Sequence, residues 1–469
     1  MNWKERASNL ISKINKYNIT FFGDNKVNSE EYLDLLEEVQ QLFDDCLLIN
    51  EPSQNQLDLL YFVSNLIGVP QYFDLYLRVK EVEFKNNNGL MILSSGLREA
   101  SSFIDEDNKL HYFQREVYKK FTKGKNRFIL SAPTSFGKTF MVSFLIKKMN
   151  YSNVALIFPS IALLTENLSS FLKNSYFVEN YSFVMLSNQP VDLTKKNIFI
   201  FTPERFLKFM EIRKNFNFDF IFIDEIYKID NNLISDKEND DNGLIPDRDL
   251  SFRLCLEQAL NASLDLLLTG PFLKYATTES MRNFEKDNDF ERLNYDKIDL
   301  VKKEIFTSKD LKKVWENTKN VKSKKNWIRL ILTKMRNENE QTIIYSQSTE
   351  YCERYAREFS ESVDFDFKKN FSLYEFINHL ERNFNKEWCL IKSLKKGVGI
   401  HHGRLPKYIQ REVIKLFNQR EIKEIFCTTT IIEGVNTTAK NVIIASSKKA
   451  RIDLEKFDLL NIEGRSRKI

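Results

Sequence analysis

The chain is short of cysteine, glycine, proline, long apolar runs and net charge, and each shortage removes a class of protein. Its five cysteines, Cys46, Cys255, Cys352, Cys389 and Cys427, lie far apart and never form a CxxC. That spacing excludes a disulfide framework and a zinc ribbon and leaves structural thiols. Only 13 glycines and 9 prolines, beside 42% hydrophobic residues, exclude a low-complexity or disordered chain. No stretch approaches the roughly twenty consecutive apolar residues of a membrane span, and the N-terminus, MNWKERASNL, lacks the apolar core of a signal peptide. A cytoplasmic protein without a membrane partner is expected. The formal net charge of +5 is small for 469 residues; with a Debye length of about 8 Å, local patches decide affinity for nucleic acid.

The length allows two to four domains, each able to bury its own core, and 39 phenylalanines supply the apolar volume. Residues 1–105 are expected to form an α-helical accessory domain. Within SEEYLDLLEEVQQLFDDC, Leu35, Leu36, Val39, Leu42, Phe43 and Cys46 recur at helical spacing, and the segment offers no chemistry. From residue 106 the pattern changes to short apolar runs, RFILS, NVALIFP, FVMLSN, NIFIFTP, FDFIFID and LDLLLTG, separated by helical stretches. Such alternation indicates parallel strands covered on both faces. The stretch Asp230 to Asp249 interrupts the series and is expected as a solvated loop. A charged segment from Glu279 to Lys325 leads to a second series, QTIIYSQS, VGIHHG, EIFCTTT and NVIIASS. The expectation is therefore an α/β protein with two tandem parallel-sheet domains, 106–276 and 277–469, and a cleft between them.

The strand ending at Ser131 runs into APTSFGKTF, Ala132 to Phe140, and then into a helical stretch. This is the spacing GxxxxGK[ST] with Ala132 in place of the first glycine. Ala132, Pro133, Thr134, Ser135, Phe136 and Gly137 would wrap phosphates, since Gly137 permits close backbone approach and the helix start presents N–H groups. Lys138 would reach the outer phosphates, and Thr139 would bind magnesium through its hydroxyl. Later, FDFIFIDEIY places Asp224 and Glu225 at the end of an apolar strand. An adjacent acidic pair there can divide labour, Asp224 holding the metal and Glu225 orienting and deprotonating the attacking water. Acidic residues also end strands as solvated turns, so the order of the two signals in one sheet carries the argument.

With those motifs in order, the sequence resembles superfamily 2 helicases, in the branch of superkiller-type RNA helicases and related DNA-repair helicases, over about residues 110–469. The resemblance implies two RecA-like P-loop domains, ATP and Mg2+ as cofactors, and nucleic acid as partner, either RNA or DNA, single-stranded or at a duplex–single-strand junction. It makes Gln114 the reader of adenine. FPSIALLTEN and FTPERF resemble the loops that touch the sugar-phosphate backbone, which implies contacts from Pro159, Ser160, Thr202 and Arg205. DEIY resembles the DExH signature but carries Tyr227 where the family has His, a residue that helps couple the ATP site to the nucleic-acid side. LTGP stands where the Ser-Ala-Thr motif belongs, with Thr269 as its hydrogen-bonding member on the nucleic-acid side.

In the second series, IIYSQS, containing Ser346, and GVGIHHGRLPKYIQREVIKLF resemble the corresponding motifs. His401 and His402 invite a metal reading, but adjacent residues on an extended strand point opposite ways. His402 and Gly403 are instead expected on a nucleic-acid-facing loop. CTTTIIEGVNTTA resembles motif V, implying nucleic-acid contacts from Thr428 and Thr429 and nucleotide contacts from Gly434 and Asn436. NIEGRSRKI resembles motif VI, usually QxxGRxGR. Arg465 aligns with its first arginine, while Lys468 stands where the finger arginine belongs and Arg467 lies one position earlier. A lysine lacks the planar fork that stabilises transferring phosphate; either Arg467 shifts register to serve, or hydrolysis is impaired. The branch usually continues beyond this motif, so a piece of a longer protein is expected. The functional expectation is an ATP-dependent helicase or translocase; the alternative is a nucleotide-dependent nucleic-acid sensor that does not unwind.

Overall fold

The computed structural model describes residues 3–17, 29–49, 51–85, 93, 96–97, 99–100, 103–104, 108–133, 136–229, 247–273, 279–296, 306–307, 310, 323–429, 437–449 and 452–464. Thr134, Ser135, Gly434, Asn436, Arg465, Arg467 and Lys468 lie outside the described residues, as does most of the acidic stretch.

Among the described residues, four helices open the chain: α1 (Trp3–Lys16), α2 (Ser29–Leu47), α3 (Gln54–Ile67) and α4 (Gln71–Lys80). They close on a core of their own, in which Leu35, Leu36, Val39, Leu42, Phe43 and Cys46 meet Leu10, Leu60 and Phe73. Local signals set their ends. Ser53 and Gln56 form a capping box before α3, and Gly68, at φ +81°, supplies the left-handed residue that stops it.

The first sheet has seven strands, all parallel, in the order β3-β4-β2-β5-β6-β1-β7. They are β1 (Arg127–Ser131), β2 (Asn153–Ile157), β3 (Tyr181–Val184), β4 (Lys196–Phe201), β5 (Phe218–Ile223), β6 (Ser263–Gly270) and β7 (Glu291–Asn294). Helices α5 (Tyr112–Lys120), α6 (Lys138–Met149), α7 (Ile161–Leu172), α8 (Pro203–Ile212) and α9 (Asp247–Ala262) connect and flank them. Strands buried on both faces need two apolar layers, and the phenylalanines fill them. Phe220 and Phe222 lie in one layer, Phe199, Phe201, Phe209 and Phe218 in the other. Each such fully buried side chain contributes about 2 kcal/mol. The segment after residue 276, expected with the second series, instead supplies β7, which pairs with β1 and completes the first sheet.

The second sheet is parallel too, in the order β11-β8-β10-β9, with β8 (Thr342–Tyr345), β9 (Val398–His401), β10 (Glu424–Cys427) and β11 (Asn441–Ile444). Its core is separate from that of the first sheet. The helix expected after the paired histidines, α10 (Lys407–Asn418), buries Ile409, Val413, Leu416 and Phe417 on one face. The last described helix, α11 (Lys456–Glu463), serves both cores: Phe457 and Leu460 pack with the first, Leu459 and Ile462 with the second.

Among the described residues, no helix is long and apolar enough to cross a membrane.

Candidate nucleotide and nucleic-acid site

In a parallel sheet every strand ends on the same edge, and ligands bind outside the carboxyl ends. Across the first sheet that edge carries, in spatial order, Thr202 after β4, Pro159 after β2, Asp224 after β5, Thr269 at the end of β6 and the phosphate loop after β1. The edge is thus divided, with the phosphate-loop and acidic residues on three adjacent strands and Pro159, Ser160, Thr202 and Arg205 after the two strands beyond.

Gly137 has φ +75°, a conformation that side chains resist, and a Cβ there would stand 2.8 Å from Gln114 Nε2. The backbone conformation therefore favours glycine, while the nearby Gln114 amide is the end of a flexible side chain that could shift. The loop folds tightly: Ala132 N–H donates to the Gly270 carbonyl at 3.1 Å, and Phe136 N–H to the Pro133 carbonyl at 3.1 Å. The Phe136 ring is fully buried and stacks on Tyr295, 5.6 Å between centroids at 9°, so this member of the loop works through its backbone. Lys138 is buried, its Nζ donating to the carbonyls of Ala132 and Pro133 at 3.0 and 3.2 Å. Thr139 is half-buried in the first turn of α6.

Asp224 is buried. Its Oδ1 accepts from Thr269 Oγ1 at 2.7 Å and from Glu225 N–H at 3.0 Å. Burial, with the neighbouring Glu225 charge second, pushes its carboxyl up to about 6, and Lys138 and Thr269 oppose the shift. Glu225 is also buried and sits at φ +58°. A non-glycine residue held there costs roughly 1–3 kcal/mol, so the turn that presents its carboxylate is fixed by its surroundings. Thr269, expected on the nucleic-acid side, is instead fully buried between the acidic strand and the phosphate strand. Its hydroxyl is spent on Asp224.

Gln114, expected to read adenine, is buried against the phosphate loop, its Nε2 donating to the Phe136 carbonyl at 2.8 Å. Sequence reasoning missed His111 and Asp296 in this neighbourhood. His111 shares the same carbonyl at 3.2 Å. Asp296, just past β7, accepts from Ser131 Oγ at 2.6 Å and from Phe272 N–H at 2.8 Å, fastening the ends of β1 and β6. Tyr227 is buried with its ring 4.7 Å from that of Phe457 on α11. The turn that follows the acidic pair thereby touches the helix that also packs on the second sheet.

The expected nucleic-acid contacts have local structural duties. Ser160 caps α7, accepting from Leu163 N–H at 3.3 Å. Thr202 caps α8 ahead of Pro203, which suits the first helical position. Arg205 donates to the Met185 carbonyl at 3.2 Å, and Pro159 is buried. In the second sheet, Ser346, His402 and Thr428 follow β8, β9 and β10, again on one edge. Ser346 and His402 are buried, Gly403 is exposed, and Thr428 and Thr429 are half-exposed. His402 Nε2 lies 3.1 Å from Glu353 Oε1, and burial lowers its pKa despite that carboxylate. Among the described residues no group of three or more His, Cys, Asp or Glu could hold a metal ion.

Whether these residues suit a magnesium nucleotide is a question of donor chemistry. A lysine, a hydroxyl at a helix start, a glycine at positive φ and an adjacent acidic pair on the next strand but one form a fitting set.

Comparison with known proteins agrees. Residues 111–240 match the DEAD/DEAH box helicase family. Over 360 residues the chain is 28% identical to anti-bacteriophage protein B of Escherichia coli (strain K12), covering 76% of this chain and 45% of that protein. It is 28% identical over 136 residues to the human exosome RNA helicase MTR4, covering 27% of this chain and 13% of the relative. The antiviral helicase SKI2 of Saccharomyces cerevisiae (strain ATCC 204508 / S288c) is 27% identical over 135 residues, 27% of this chain and 10% of that one. The matched region thus spans less than half the length of each of these relatives.

Proposed function

We propose that this chain, which carries a DEAD/DEAH box helicase domain, hydrolyses ATP between two RecA-like domains, about 106–296 and 323–469, and uses the cycle to move on or open nucleic acid. The observation that carries the reading is the convergence of Lys138, Asp224, Glu225 and Thr269 at the carboxyl ends of three neighbouring strands. When bound, magnesium supplies the positive charge that neutralises phosphate oxygens, held by Thr139 and Asp224. Lys138 exchanges its bonds to the Ala132 and Pro133 carbonyls for phosphate oxygens, the loop N–H groups and the start of α6 hold the remaining charge, and Glu225 orients a water and takes its proton.

Coupling follows from Thr269, Tyr227 and α11. Thr269 ties Asp224 to β6, and Tyr227 leans on Phe457 of a helix shared with the second core. A change at the acidic pair is thereby passed to the second sheet, whose edge residues Ser346, His402, Gly403, Thr428 and Thr429 would face nucleic acid with Pro159, Ser160, Thr202 and Arg205. Arg465, with Arg467 or Lys468, would complete the site from the second domain, and Gly434 and Asn436 would meet the nucleotide. The breadth of the likeness to an anti-bacteriophage protein supports a role in defence against phage.

The test is steady-state ATP hydrolysis with and without single-stranded DNA and RNA, together with displacement of a labelled strand. Stimulation by one polymer and displacement of its duplex support the motor and choose its substrate. Turnover that ignores both polymers removes the nucleic-acid half of the reading. Backbone contacts also predict affinity that falls with salt at a slope of about −0.7 per neutralised phosphate on a single strand.

A further inference from the structure

Helix α5 meets two partners at its start. On one side, Tyr112 N–H donates to the Gly68 carbonyl at 3.1 Å, a Cβ at Gly68 would stand 3.0 Å from Tyr112 Cβ, and the Tyr32 ring lies 4.8 Å edge-on to Phe113. The N-terminal helices therefore fix where α5 begins. On the other side, the buried Phe136 carbonyl of the phosphate loop accepts two hydrogen bonds, from Gln114 Nε2 at 2.8 Å and from His111 Nε2 at 3.2 Å.

The protonation of His111 follows from its neighbours. Its Nδ1 accepts from Gln114 N–H at 3.3 Å, as an N-cap acceptor does, so the proton sits on Nε2 and points at the carbonyl. Burial pushes the ring down to about 4, which keeps it neutral near pH 7. The Gln114 Oε1 in turn accepts from His111 N–H at 3.2 Å.

A carbonyl needs one donor to avoid the cost of burial unpaired, and here it has two. A glutamine amide can pair with the N6 and N7 edge of adenine, but Gln114 spends its amide on the loop. We propose that His111 is a positioning residue of the nucleotide site: by holding the Phe136 carbonyl, it lets Gln114 turn its amide to an adenine base without leaving that carbonyl bare. The helical bundle, through Tyr32 and Gly68, keeps His111 in place, so an N-terminal segment without chemistry of its own takes part in choosing the base. This rests on the reading of the phosphate loop as a nucleotide site.

The test is equilibrium binding of ATP and of GTP, with magnesium, to the full chain in four forms: wild type, His111→Asn, His111→Gln and Gln114→Ala. Asparagine keeps a helix cap but cannot reach Phe136, whereas glutamine is long enough to donate to its carbonyl. The expected result is a wild type that prefers ATP and a His111→Asn variant that loses roughly tenfold in ATP affinity, with GTP affinity unchanged. The preference then falls to that of Gln114→Ala, and His111→Gln restores it. A parallel loss of both nucleotides in His111→Asn, or a preference it leaves intact, overturns the inference while the nucleotide site stands. A wild type that binds neither nucleotide overturns the site and the inference together, and one that binds both equally overturns the inference alone.

Discussion

Asp224 and Glu424 are both buried carboxyls in parallel sheets, and burial raises both, to about 6 and about 7. Their settings are opposite. Asp224 follows the carboxyl end of β5, beside a second carboxylate, a threonine hydroxyl and the Lys138 charge. Glu424 begins β10 at the amino end, where Arg336 meets it at 2.6 Å, donates also to the Lys396 carbonyl at 3.2 Å and lies over the Phe365 ring. In neither case does the nearby cation overcome desolvation. A perturbed carboxyl alone therefore does not mark a site. The strand end on which it stands, and whether its partners are groups a ligand can replace, tell the two apart.

The comparison breaks most visibly at Lys138. Lys138→Ala is expected to lower ATP turnover by at least about a hundredfold, since it removes charge from the transferring phosphate, while the unfolding midpoint in urea stays near that of wild type. Arg336→Ala should do the reverse. It leaves Glu424 buried without its partner and costs about 3 kcal/mol of stability, read as a lower urea midpoint, with turnover per folded molecule unchanged.

Asp224→Asn sharpens the contrast through pH. A carboxyl raised from 3.8 to about 6 contributes stability that is fully present below its ordinary value and lost as pH rises through 6. Near pH 7.5 the native protein carries this cost, and the neutral amide relieves it. Asp224→Asn is expected to gain about 1–2 kcal/mol there, to gain nothing below pH 4, and to be inactive throughout. In wild type, kcat/KM should fall as pH drops through about 6, because the carboxyl of the unliganded protein must lose its proton before it can take magnesium. Thr269→Val gives the smallest effect. Without the hydroxyl that favours the charged form, the acid limb of the pH–rate profile should move up by roughly half a unit to one unit.

Much of this was legible in the sequence because the strands are buried on both faces. Runs such as NVALI, FDFIFI and NIFIF are continuously apolar, and the structure makes each a strand. β7 escaped for the opposite reason. It is an edge strand, and of Glu291, Arg292, Leu293 and Asn294 only Leu293 is buried. The phosphate loop and acidic pair follow from spacing and strand context, so Lys138, Asp224 and Glu225 could be named in advance. Thr269 could be named but not placed, because its bond to Asp224 joins residues 45 positions apart through the strand order. His111 left one signal, a residue able to accept at the N-cap position three before a glutamine; its reach to Phe136 is set by the tertiary fold.

The central claim is that Glu225 activates water for a nucleotide the other groups hold. It is tested most directly by giving wild type and Glu225→Gln labelled ATP in a single turnover with single-stranded nucleic acid present. The account predicts that Glu225→Gln binds ATP about as tightly as wild type and hydrolyses it at least about a hundredfold more slowly. Hydrolysis at the wild-type rate would contradict it.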